Sequence, residues 1–290
     1  MIIPKVIHFI APEDKSQWHP LWHKCYKSWC DNYPDFEIKL WNDDSDIDSF
    51  ICNNYNDYYD MFCDFPLHIM KLDFARFCIL HYYGGIYSDM DVFCYKNFYD
   101  ELEHTNYILP APYGKKYING EKLIENAIMI STISSSFFLK CIEKCKDNYH
   151  KNIKKYIKNL KFPLDWSDTI LVGKTAGPVF LSDCYEEFGS NVNVLNGLLY
   201  NNHGMSYHPS YRTKHLFTGV WGKESYDKSK DFGSSYIDKV SKYADLESVD
   251  DIDKLDFYHD YTNVGMKLSF DTSDHEREEQ NNYKLNISYD

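Results

Sequence analysis

The chain has 290 residues, 43% of them hydrophobic and 17% aromatic, and a formal net charge of −13 from 31 basic and 44 acidic side chains. The apolar content excludes a disordered chain and suffices for a sizeable core, and the acidic balance excludes a general nucleic-acid binder, which needs a basic footprint to neutralise phosphates. Any anionic substrate must be held by local cations or by a metal ion.

The nine cysteines are odd in number and show no paired CxxC spacing; they read as small buried hydrophobes rather than as a metal cage. The opening MIIPKVIHFI is apolar but too short for a leader, and no run approaches the ~20 apolar residues that a membrane span needs. The expectation is a reduced, soluble, cytoplasmic protein without signal peptide or transmembrane segment.

Residues 4–10, PKVIHFI, read as a first buried strand, a short β-branched run behind a proline. Residues 16–30 space Trp18, Trp22, Tyr26 and Trp29 three and four apart, an amphipathic helix. A turn at Pro34 leads to a second strand, Glu37 to Trp41, after which Asn42 and Asp43 make a turn or line a base pocket. Residues 65–82 form the clearest helix, with Pro66 near its start and Gly84-Gly85 as a left-handed stop. IYSD is a short buried strand, MDVFCY follows it, AIMIS (127–131) is another strand and SFFLKCIEKC (136–145) a helix. Residues 149–161 put Ile153, Tyr156, Ile157 and Leu160 on one face with lysines around it, a solvated helix face. This order predicts an α/β fold whose sheet is at least partly parallel. From residue 223 the chain turns polar, with 17 acidic against 9 basic residues. It therefore divides into a main domain, 1–222, and an acidic, partly helical extension, 223–290, packed on the core.

Gly84 to Val92 reads GGIYSDMDV. A buried strand delivers Asp89 and Asp91 to its end, and residues two apart on a strand point the same way. Two adjacent carboxylates repel unless a cation neutralises them. Mn²⁺ or Mg²⁺ is the natural choice, because carboxylates plus substrate phosphates complete its shell. On the preceding helix, Asp73 and Arg76 lie three apart and share a face. The chain has three arginines (Arg76, Arg212, Arg277) against 28 lysines, so an arginine here points to a need for its fork of donors rather than for charge alone. The ordinary alternative is a helix-surface ion pair of little value.

The block KLDFARFCILHYYGGIYSDMDV resembles the DXD glycosyltransferases of family 32, which include fungal initiating mannosyltransferases and capsule-synthesis enzymes, with the clostridial toxin glucosyltransferase domain as a distant relative. The likeness extends to IPKVIHFI, KLWND, ENAIM, TAGPVF and the final His215 and Trp221, about residues 3–222. It implies a GT-A-type fold (a Rossmann-like mixed sheet flanked by helices) with 1–222 as the catalytic domain. It further implies a UDP- or GDP-sugar donor, a divalent metal, usually Mn²⁺, and retention of anomeric configuration. By matching positions, Asp91 binds the metal and Asp89 contacts the ribose or donor sugar and shares the metal. Asp73 and Arg76 hold donor hydroxyls, Asn126 sits beside the transferred sugar, and His8 is a further donor contact. His215 is the third metal ligand and Trp221 closes over the donor. Two positions depart from the pattern. Ala11 stands where relatives carry a tryptophan, leaving Trp18 or Trp41 to stack on the base, and Val220 replaces the usual serine before the final tryptophan.

The resemblance thus implies a retaining hexosyltransferase acting on a glycan, protein or lipid hydroxyl. Two other readings exist. DMDVF also resembles the nucleophile motif of haloacid-dehalogenase-type phosphatases, with Asp89 attacking phosphate and Asp250-Asp251 as a late acidic pair. A non-catalytic sugar-nucleotide-binding relative is the other.

Overall fold

The computed structural model describes residues 2–110, 116–117, 121–122, 124–157, 172–201, 208–216 and 218. Trp221, Val220, the pair Asp250-Asp251 and the extension 223–290 lie outside the described residues. The first half of the chain forms β1 (Val6–Ala11), α1 (Pro20–Asn32), β2 (Glu37–Asn42), α2 (Ser45–Asn54), α3 (Tyr59–Asp64), α4 (His68–Tyr83), β3 (Gly85–Ser88), β4 (Val92–Cys94) and β5 (Asn106–Pro110). A small hairpin, β6 (Lys116–Tyr117) and β7 (Glu121–Lys122), precedes β8 (Ile124–Ser131), α5 (Ser136–Asn148) and α6 (Lys154–Ile157). Then come α7 (Pro178–Phe188), β9 (Val192–Val194), α8 (Gly197–Tyr200) and β10 (Thr213–His215).

Six strands make one mixed sheet in the order β2-β1-β3-β8-β5-β9. β1 pairs in parallel with β2 and β3, β8 runs antiparallel to both β3 and β5, and β9 is parallel to β5. The expected Rossmann-like mixed sheet flanked by helices is what the chain forms. Because β1, β2 and β3 point the same way, Ala11, Asn42 and Ser88 end at one edge, the edge at which open α/β sheets build their binding crevices.

Both faces of the sheet are covered, which is why β1 reads as an unbroken apolar run rather than an alternating one. Ile7, Phe9, Ile86, Ile128 and Ile130 pack with Trp29 of α1 on one side. Ile10, Tyr87 and Met129 pack with α4, α5 and α7 on the other. α4 is buried nearly all round, from Met70 to Leu80, so it is a central helix rather than a surface one.

Four local expectations need correction. The first helix begins at Pro20, not residue 16, since a proline is favoured at the first helical position and Trp18 turns back to donate from its indole to the Pro12 carbonyl, 2.8 Å. Gly84 caps α4 with φ +63° and ψ −156°, outside the left-handed helical well. Of the helix expected over 149–161, the described part is a π turn, Tyr149–Ile153, leading into α6, Lys154–Ile157, while 158–161 lie outside the described residues; its lysines reach Asp147 and Asp64 at the surface, as a solvated face should. Finally, Asp89 and Asp91 lie beyond β3 in a turn closed by Val92 N–H on the Asp89 carbonyl, 3.2 Å. Strand alternation is therefore not what aligns them.

The entry to that turn depends on Gly85, which holds φ +88°; a Cβ there would lie 2.5 Å from both Cγ1 and the carbonyl oxygen of Val6. Gly85→Ala should lower unfolding free energy by at least ~2 kcal/mol in urea titration. Gly197→Ala, whose Cβ would come no nearer than 3.3 Å to Pro110, should cost far less. Equal stability of the two variants would contradict this packing.

Candidate active site

α4 is buried over most of its length, so two charges on its buried face are costly unless paired. Asp73 and Arg76 are both buried, at 3% and 7% exposure, which rules out the helix-surface pair. Arg76 Nη1 meets Asp73 Oδ1 at 3.1 Å and Nη2 meets Asp89 Oδ1 at 3.1 Å. One guanidinium fork thus ties the helix to the turn after β3. Its plane lies against the Tyr87 ring, 5.1 Å to the centroid, and Tyr87 donates its hydroxyl to Asp89 Oδ1 at 2.8 Å. Arg76 Nε is buried without a partner among the described residues. Asn126 Nδ2 donates to Asp73 Oδ1 at 2.8 Å.

Asn126 reaches Asp73 because β8 bulges. Ile108 of β5 faces Met129 but Leu109 faces Glu125, which leaves Asn126, Ala127 and Ile128 without partners on β5. On the other edge of β8, the Ala127 carbonyl extends the β3–β8 ladder by accepting the Asp89 N–H at 2.8 Å. Bulges next to sites re-aim side chains in this way.

Asp91 is fixed from another direction. β10 runs antiparallel to β4 with His215 opposite Val92, and Leu216 N–H donates to the Asp91 carbonyl. That register sets His215 Nε2 3.2 Å from Asp91 Oδ1. Asp91 Oδ2 accepts the Thr218 N–H at 2.9 Å and is 3.0 Å from its hydroxyl. His215 Nδ1 faces Glu125 Oε2 at 3.4 Å.

Electrostatics separates the three aspartates. Burial pushes Asp73 up to about 6 against the pull of Arg76, and burial also raises Asp89, opposed by Arg76 and helped by Asp91. Burial disfavours charge on Asp91 as well, but His215 and Thr218 outweigh it and hold its carboxyl near 2. Burial likewise opposes the imidazolium of His215, yet Asp91 and Glu125 raise it to about 10.

Asp73, Asp89, Asp91 and Glu125 face the two cationic groups Arg76 and His215, an excess of negative charge that a divalent ion would neutralise. Asp89, Asp91 and His215 each offer a ligand atom, all within 4.8 Å of one another. This oxygen-rich donor set with one imidazole fits Mn²⁺ or Mg²⁺ completed by phosphate oxygens.

The geometry brings together Asp73, Arg76, Asp89, Asp91, Asn126 and His215. It does not bring His8 to them as a side chain open to a donor. His8 is fully buried, with Nε2 2.9 Å from the Gly84 carbonyl oxygen and Nδ1 accepting the Trp41 indole N–H at 3.3 Å. Burial lowers it to about 4, so it is a neutral core histidine. Trp18 and Trp41, at 5% exposure each, are packed side chains rather than open stacking platforms. Asn42 makes the expected turn, its Oδ1 accepting from Asp44 and Ser45 N–H. With Pro12, Glu13, Asp14, Gln17 and Asp43 it lines an open recess of about 530 Å³ whose lining includes none of Asp73, Arg76, Asp89, Asp91 or His215. Glu125, Tyr87 and Thr218 were not singled out from the sequence. Only Glu125 left a signal, as the neighbour of Asn126 on a strand whose alternate residues face opposite ways.

Residues 20–109 match the family described as the glycosyltransferase sugar-binding region containing DXD motif. That stretch contains Asp73, Arg76, Asp89 and Asp91, so the match agrees with the resemblance and favours it over the phosphatase reading. Among individual proteins, it is 29% identical over 209 residues to inositol phosphoceramide mannosyltransferase 1 of Schizosaccharomyces pombe, covering 69% of this chain and 58% of that one. It is 31% identical over 189 residues to a mannosyl phosphorylinositol ceramide synthase of Saccharomyces cerevisiae, covering 64% and 43%. The chain thus spans about half the length of these curated relatives. Of solved structures, the PaToxG glycosyltransferase overlays with a TM-score of 0.42 at 18% identity, over 64% of this chain and 70% of that one. Among the described residues, no helix is long and apolar enough to cross a membrane.

Removing the fork should leave the buried Asp73 and the partly buried Asp89 without their cation, so Arg76→Leu should cost about 3–5 kcal/mol in unfolding free energy; a loss under 1 kcal/mol would contradict the Asp73–Arg76–Asp89 pairing. The pairing of His215 makes a separate expectation. Its folded value near 10 exceeds the ordinary 6.5, so its stabilisation is complete below pH 6.5 and is lost as pH rises through 10. Metal-free wild type should lose more stability between pH 7 and pH 10 than His215→Gln, measured by thermal unfolding. Parallel curves would refute the pairing.

Proposed function

We propose that the chain is a metal-dependent retaining glycosyltransferase that moves a hexose from a nucleoside-diphosphate sugar to a hydroxyl acceptor. The observation that carries this reading is the Asp89-Asp91-His215 ligand set joined through Arg76 to the buried Asp73. When bound, Mn²⁺ or Mg²⁺ neutralises the diphosphate and stabilises the charge that develops as it leaves. Arg76 and Asp73 orient the donor sugar through its hydroxyls, Asn126 holds Asp73 in place for that task, and the nucleoside lies toward the carboxyl ends of β1 and β2. No side chain is assigned as general base; the departing phosphate takes the acceptor proton.

The names of the fungal relatives favour mannose as the transferred sugar, and GDP is the nucleotide that commonly carries it, with UDP-sugars as the second choice. The same names favour a hydroxyl on a lipid-linked inositol phosphate as acceptor. The family resemblance supports retention of configuration. A non-catalytic binding relative would have no use for the complete set Asp73, Arg76, Asp89 and Asp91.

Thermal shift with GDP-mannose, UDP-glucose and UDP-galactose, each with and without Mn²⁺, identifies the donor, since a ligand stabilises by mass action. GDP-mannose with Mn²⁺ should give the largest rise, and chelation should remove it. Asp91→Asn should reduce sugar transfer about 10²–10³-fold with its fold retained, a loss of the size that removing one key electrostatic contact causes. Arg76→Lys should lose most activity because one ammonium cannot contact Asp73, Asp89 and a sugar in the fork's geometry. Transfer at wild-type rate by Asp91→Asn would refute the metal role.

A further inference from the structure

Glu125 is not a member of the ligand set, yet it is held as firmly as its members. Its Oε2 accepts from Asn201 Nδ2 at 3.0 Å, and Asn201 is itself fully buried, donating also to the Pro110 carbonyl at 3.1 Å. On its other side the same oxygen faces His215 Nδ1 at 3.4 Å, while His215 Nε2 points to Asp91. A histidine can ligate a metal only through an unprotonated nitrogen, and the hydrogen bond at one ring nitrogen decides which. A carboxylate at Nδ1 keeps that N–H, so Nε2, which pairs with Asp91 as N–H when no metal is bound, is the nitrogen that gives up its proton to ligate, and the ring plane is fixed. The bulge in β8 sends Asn126 to Asp73 on one face and Glu125 to His215 on the other.

We propose that Glu125 is a positioning residue of the metal site, buttressed by Asn201, that sets the tautomer and orientation of His215 for ligation through Nε2. The proposal rests on the metal reading above. It assigns Glu125 no contact with donor or acceptor, so its effect must pass entirely through His215.

Mn²⁺ binding to the full chain, read by electron paramagnetic resonance of free Mn²⁺ at saturating GDP, tests this. Asp91→Asn and His215→Ala should weaken Mn²⁺ binding, and Glu125→Gln should weaken it about 10-fold or more, as loss of an outer carboxylate does. The double variant Glu125→Gln/His215→Ala should bind no more weakly than His215→Ala alone. Asn201→Ala, which loosens the carboxylate without touching His215, should weaken Mn²⁺ a few-fold and keep the test open should Glu125→Gln not fold. GDP binding in the presence of chelator should be unchanged in every Glu125 and Asn201 variant, a readout that general structural damage would move. Wild-type Mn²⁺ affinity in Glu125→Gln and Asn201→Ala, with His215→Ala impaired, would overturn the positioning role and leave the metal reading standing. Wild-type affinity in both Asp91→Asn and His215→Ala would overturn the metal reading and this inference with it.

Discussion

One buried cation organises the site. Arg76 stands on a helix that is buried over most of its length, and its two terminal nitrogens bind Asp73 on that helix and Asp89 on the turn after β3. Burying such a group is costly unless it is paired and hydrogen-bonded. The pairing therefore fixes where the turn must sit relative to α4. Tyr87 and Asn126 complete the arrangement by holding the same carboxylates, Asp89 and Asp73. Each is delivered by the sheet, one by β3 and the other by the bulge in β8.

The second half of the site is built from a separate ladder. β4 and β10 bring His215 beside Asp91, while Thr218 and Leu216 hold the side chain and the carbonyl of that aspartate. The halves meet in the triplet Asp89-Met90-Asp91. A neutral peptide turn links an aspartate raised by burial to one held near 2 by its partners. That contrast keeps Asp91 fully charged, and the negative excess over Arg76 and His215 is what a divalent ion and a diphosphate would use.

The sequence made the acidic triplet, the Asp73–Arg76 spacing and the strand-helix order visible because each is a local pattern: period two, period three to four, or a motif bounded by glycines. It misjudged why the two aspartates converge, since a turn tied to Ala127 and Leu216, not strand alternation, aligns them. The resemblance implies a donor contact for His8, whereas a histidine within a fully buried strand is more simply a core residue paired to backbone. The pairings of Glu125 and Thr218 are hidden from the sequence for a different reason. Their roles depend on a bulge register and on β4–β10 pairing, which join residues 90 and 127 positions apart. Gly177 is similar: its place in TAGPVF was legible, but not that a Cβ there would come within 3.0 Å of Asp73 Oδ2.

The claim on which the functional reading turns is that a divalent ion lies between Asp89, Asp91 and His215 and carries a diphosphate. A crystal of the protein grown with Mn²⁺ and GDP, measured at the manganese absorption edge, addresses it directly. The expected result is one anomalous peak in bonding contact with all three side chains and with phosphate oxygens. A peak elsewhere, or GDP bound with Asp91 still locked to His215 and Thr218 and no metal between them, would contradict it.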